Sequence, residues 1–121
     1  MAKTKPNLTG KWSIQSMSMW DETYINEETP GYFHFGNNNL GAFHFAYVQG
    51  EVDYRLSVRD GKPAVEFSWT GFDRGGGDEC SGRGWMVLDG DELAGMLFFH
   101  CGDESEIVLK RAAETRKQRK G

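Results

Sequence analysis

Residues 52–69 constrain the fold more than any other segment. Val52, Tyr54, Leu56 and Val58 alternate with Asp53, Arg55, Ser57 and Arg59; after Asp60-Gly61 the alternation resumes, with Val65, Phe67 and Trp69 against Ala64, Glu66 and Ser68. An Asp-Gly pair between two period-two runs signals a two-residue hairpin, because the type I′ turn needs positive φ at both central positions. Centring the turn on 60 and 61 sets Tyr54 against Phe67, Leu56 against Val65 and Arg55 against Glu66. Apolar side chains then meet on one face, and an opposite-charge pair falls on the other.

The same period extends both ways. Residues 32–35 and 40–48 flank Gly36-Asn37-Asn38-Asn39, with Phe33, Phe35, Phe43 and Phe45 on one face and His34 and His44 on the other. Gln49-Gly50 is expected to turn or bulge into the strand that starts near Glu51. Residues 82–88 and 93–100 flank Asp89-Gly90-Asp91-Glu92, residues 104–111 follow Gly102-Asp103, and residues 10–19 make a first strand. A helical pattern is confined to a turn or two within 112–120. About eight short antiparallel strands must share one core and hide their edges, which an up-and-down β-barrel does by closing. The fold class is therefore all-β, an eight-stranded antiparallel barrel, with an open β-sandwich as the alternative. The domain reading is an arm over 1–9, a barrel over 10–111 and a basic tail over 112–121.

Charge and length exclude several classes of function. The 121 residues suffice for one domain, and two cysteines do not make a disulfide scaffold. Residues 110–121 carry six basic side chains and one acid, leaving 8 basic and 17 acidic groups elsewhere. A body at −9 beside a tail at +5 repels phosphate backbones, so nucleic acid is expected to meet the tail weakly, if at all. No apolar run is long enough for a membrane helix. Met1-Ala2-Lys3-Thr4-Lys5-Pro6 contains no apolar stretch of the secretory kind, so the expected compartment is the cytoplasm.

Leu8-Thr9-Gly10-Lys11-Trp12 resembles the Gly-x-Trp opening of the first strand in lipocalins and the matching strand of avidin, the calycin group of small ligand-binding barrels. The resemblance implies that Trp12 plugs the closed end of the barrel, with Arg111 or Lys110 of the last strand packed across its indole. It also implies a ligand at the open end and barrel–barrel packing of the avidin kind. Ser13-Ile14-Gln15-Ser16-Met17 does not carry the polar set of the biotin binders, so biotin is not implied.

With Trp12 inward, the hairpin places Tyr54, Phe67 and Trp69 inside beside Phe43 and Phe45. Trp20 lies in the long connection 20–30, where the resemblance puts a lid. Trp20, Phe43, Phe45, Tyr54, Phe67 and Trp69 are the candidate lining for a small apolar or aromatic ligand, and equally the material of a filled core. Arg55, Glu66 and Arg83 belong to the polar face unless the face assignment is inverted. His34 and His44 have no acid placed beside them, too few ligands for a metal. No nucleophile–base spacing or phosphate loop is present, so the residues give no positive sign of catalysis and name no cofactor. Cys80 faces Cys101 if residues 89–92 form the turn, and two thiols are expected in a reducing compartment. Trp85, Val87, Ala94, Met96 and Phe98 make the outer side of strands 82–100 apolar as well, which predicts a homo-oligomer through those strands. The function expected is non-covalent binding of a small apolar ligand in the barrel. The alternative is a ligand-free interaction barrel acting through its oligomer face and basic tail.

Overall fold

The computed structural model describes residues 8–112, so the expectations for the first seven residues and for the tail from 113 lie outside it. Eight antiparallel strands close into one barrel in chain order: β1 (Gly10–Met17), β2 (Tyr32–Phe35), β3 (Leu40–Phe45), β4 (Val48–Arg59), β5 (Lys62–Asp73), β6 (Asp78–Asp89), β7 (Glu92–Phe99) and β8 (Glu104–Arg111). The sandwich alternative is thereby excluded. Closure is made by β1 on β8, where Trp12 stands opposite Arg111 and a bulge lies between Ile14 and Ser16. One helical turn, α1 (Glu22–Ile25), spans the end where β1 exits.

The Asp60-Gly61 turn has φ of 52° and 79°, the positive pair its sequence demands. The register is the expected one, with Tyr54 on Phe67, Leu56 on Val65 and Arg55 on Glu66. Leu56 and Val58 nevertheless do not enter the core; they are 56% and 72% exposed. The pairing of β3 with β4 ends at Leu40 opposite Asp53, so from Tyr54 onward the β3-side edge of β4 has no strand beside it, while β5 stays paired with β6 as far as Ala64. Arg55 also departs from expectation, since its ion pair is with Asp53 of its own strand. Both side chains of that pair are well exposed, so it adds under about 1 kcal/mol.

Two other local expectations are corrected. The turn after β3 falls at Ala46-Tyr47, where Ala46 adopts φ 53°, and Gln49 and Gly50 lie inside β4. The connection 20–30 holds a helical turn where none was expected. The Asp21 carboxylate accepts from the Tyr24 amide at 2.9 Å, a side-chain cap that a four-residue helix needs. Its one buried residue, Ile25, docks through its carbonyl on the Ala46 amide at 2.7 Å.

The interior is aromatic and tightly connected. Trp12, Phe33, Phe35, Phe43, Phe45, Tyr54, Phe67 and Trp69 are all buried, as the face pattern predicted. Phe33 lies 4.8 Å from Phe43 and 5.6 Å from Phe67; Phe35 lies 5.0 Å from Tyr54; Phe43 lies 5.0 Å from Trp69. Such rings lock one another at distances where edge and offset contacts are favourable.

Candidate functional site

The two ends of the barrel differ in kind. At the end where β1 begins, the Trp12 indole N–H donates to the Leu8 carbonyl at 3.0 Å, and the Arg111 guanidinium lies 4.2 Å above the ring. Arg111 also donates to the Thr9 carbonyl at 2.6 Å. Of the two basic residues considered for this role, Arg111 fills it; Lys110 points to Glu92 at 3.9 Å. Tyr54 seals the same end, donating to the Gly36 carbonyl at 2.5 Å. Burial pushes the Tyr54 hydroxyl above its ordinary pKa of 10.0, which keeps it the protonated donor this bond requires.

The opposite end is an aromatic mouth beneath α1. Trp20 is only half-buried and lies 5.1 Å from Phe45 and 6.0 Å from Phe99. Phe99 is 5.0 Å from Trp69, whose indole N–H donates to the Phe98 carbonyl at 3.2 Å. Tyr24 of α1 meets Tyr47 at 6.0 Å on the rim. Of the candidate lining residues, Trp20, Phe45 and Trp69 thus gather at the mouth through Phe99. Phe43 lies one layer below, and Tyr54 and Phe67 lie toward the sealed end. Phe99 is not among the candidate lining residues; only the closed barrel carries β7 against β3 and β5 through its ring.

Beside the mouth, the His44 imidazole stands 3.1 Å from the Glu28 carboxylate, which also takes Arg74 at 3.4 Å. The expectation that no acid accompanies the histidines is therefore corrected. Glu28 arrives from the connection after α1, a placement that sequence separation conceals. Among the described residues, no group of three or more His, Cys, Asp or Glu is arranged to hold a metal.

The β6–β7 register sets Gly84 on Leu97 and Met86 on Gly95, as the turn at 89–92 predicted. Cys80 and Cys101 are both free; β7 ends at Phe99, and Cys101 lies beyond it in a turn with φ 56°. Burial, and then Asp73 and Asp78, push the Cys80 thiol up from 9.0, so it is a weakened nucleophile.

On the outer wall, a groove of about 540 Å³ runs across β4–β7. Arg55, Arg59, Glu66, Arg83, Trp85 and Phe98 are among its lining residues. The Arg59 guanidinium lies 4.0 Å over the Trp85 ring, and that of Arg83 lies 4.8 Å over Phe98. Arg55, Glu66 and Arg83 are exposed, which settles the face assignment. Comparison with protein families, curated proteins and solved structures finds no match. No helix among the described residues is long and apolar enough to cross a membrane.

Proposed function

We propose that this chain is a calycin-like barrel that binds a small, flat, apolar or aromatic molecule non-covalently at its mouth. The observation that carries the reading is Trp20. A half-exposed indole resting on Phe45 and Phe99, held by a bend between β1 and α1 rather than by a strand, is a removable cover over an aromatic floor. A ligand ring replaces the indole on Phe45 and Phe99, with Trp69 behind Phe99, and the deeper rings stay in place. The floor offers ring faces and edges in place of charges, which selects against polar ligands. The Trp12–Arg111 contact at the sealed end supports the calycin reading. The two unpaired thiols accord with a cytoplasmic protein.

Native mass spectrometry of freshly purified protein, with the same sample denatured, tests the reading. A constant excess mass that disappears on denaturation is the expected result. Titration with an anilinonaphthalene sulfonate probe is expected to shift tryptophan emission, and the shift is expected to vanish in Trp20→Phe. A bare native mass, together with emission that no apolar probe changes, would reject the mouth as a binding site.

A second reading, an interaction barrel acting through its outer wall, is favoured by a separate observation, the stacked arginines on β4 and β6.

A further inference from the structure

The outer faces of β6, β7 and β8 align in three cross-strand rows: Arg83, Phe98, Glu104; Trp85, Met96, Glu106; and Val87, Ala94, Val108. The β7 positions form an apolar spine of Ala94, Met96 and Phe98. On its β6 side stand two cations, Arg83 over Phe98 and Arg59 over Trp85. On its β8 side stand two exposed anions, Glu104 and Glu106. None of the four belongs to an ion pair among the described residues. An apolar strip with unpaired cations along one margin and unpaired anions along the other is a self-complementary pattern.

We propose that this face joins two copies of the chain about a two-fold axis running along β7. Rotation about an axis parallel to the strands keeps each row at its own height and exchanges the β6 margin for the β8 margin. Arg83 of one copy then falls opposite Glu104 of the second, and Arg59, above Trp85, falls opposite Glu106. Val87 covers Val108, while Phe98, Met96 and Ala94 each meet their own counterparts. Every off-axis contact occurs twice, and the three contacts on the axis pair a residue with itself, as an isologous interface requires. The stacked arginines are already fixed by their rings, so little side-chain freedom remains to be lost when a carboxylate arrives.

Other occupants match less of this surface. A phosphate-rich partner satisfies the arginines but meets the two glutamates beside them. A purely apolar partner leaves all four charges to be desolvated without partners. Only a surface with the opposite order of charges satisfies both margins, and a second copy turned about β7 presents it.

The test is a charge-swap read by sedimentation equilibrium on the full chain. Wild type is expected to be a dimer at micromolar concentration. Arg83→Glu alone and Glu104→Arg alone are each expected to weaken association at least ~10-fold, because each places like charges opposite one another twice per dimer. Mixing the two variants in equal amounts is expected to restore dimers, since both interfacial pairs are then complementary. Repulsion within one chain, or loss of fold, cannot be cured by mixing. Thermal melts check that each variant folds, and Arg59→Glu with Glu106→Arg serves as the second pair if one does not. A monomeric wild type, folded single variants that still dimerise, or a mixture that stays monomeric would overturn the proposal. The mouth lies at a barrel end that this interface leaves open, so ligand binding and dimerisation can fail separately.

Discussion

Trp12 and Arg111 stand opposite one another across the β1–β8 seam, with the guanidinium 4.2 Å above the indole. Ninety-eight residues of chain lie between them, and the barrel closes where they meet. Arg111 stacks on the ring while also donating to Thr9, so one side chain ties the first strand to the last. Arg111→Ala removes the stacking and that hydrogen bond together, and is expected to lower stability by about 2 kcal/mol. Arg111→Lys keeps the charge but loses the planar fork, and is expected to recover less than half of the loss. Urea unfolding of the three proteins checks both values. Equal stability of the alanine variant and wild type would mean that the seam is held elsewhere.

The Tyr54–Gly36 hydrogen bond gives a pH dependence with a definite sign. The folded-state pKa of Tyr54 is raised by burial above 10.0, so folded protein holds that proton more tightly than unfolded protein does. Its contribution is complete below pH 10 and is lost as pH rises through the folded pKa. Tyr54→Phe is expected to cost about 1 kcal/mol at neutral pH. Above pH 10 the gap between the two proteins is expected to narrow and then reverse, because only wild type must then ionise or strain a buried phenol. Chemical unfolding at pH 7 and pH 11 reads the difference; a gap that widens with pH contradicts this account.

Close backbone approach makes β7 intolerant of a side chain at Gly95. A Cβ built there runs into the carbonyl oxygen of Trp85 and the α-carbon of Met86, neither of which belongs to a flexible side chain. Gly95→Ala is therefore expected to destabilise by about 3 kcal/mol or to prevent folding. Gly77→Ala, in an open turn with no atom within 4 Å, is expected to cost about 1 kcal/mol from its positive φ. Thermal melts of the two variants should separate clearly, and similar melting points would argue against the packing of β6 on β7.

The two thiols are expected to react at different rates. Cys101 is exposed in the turn after β7, whereas Cys80 is half-buried on β6 with its pKa raised. Maleimide labelling at pH 7.5, followed by peptide mass spectrometry, is expected to modify Cys101 first by at least ~10-fold. Rapid formation of a Cys80–Cys101 disulfide in air would contradict the placement of Cys101 outside the ladder.

By itself the sequence determined what local chemistry can encode. Asp60-Gly61 fixed a turn whose φ values and strand register follow from two residues, and period two sorted Phe33, Phe35, Phe43, Phe45, Phe67 and Trp69 onto one face. The turn at 89–92 likewise fixed Met86 against Gly95. These relations span a few residues or one hairpin, where pleat and turn geometry leave a single register. Tertiary structure decided whatever depends on where a neighbouring strand stops. Leu56 belongs to the inward set by alternation, yet it lies exposed because β3 ends opposite Asp53. Arg55 faces Glu66 in register, yet a nearer Asp53 takes its guanidinium. Glu28 reaches His44, and Phe99 joins Trp20, only because α1 and the closed barrel bring distant segments together. Closure is the reason. Period two states which side of a strand is apolar, while the curvature and length of eight paired strands state what, if anything, covers that side.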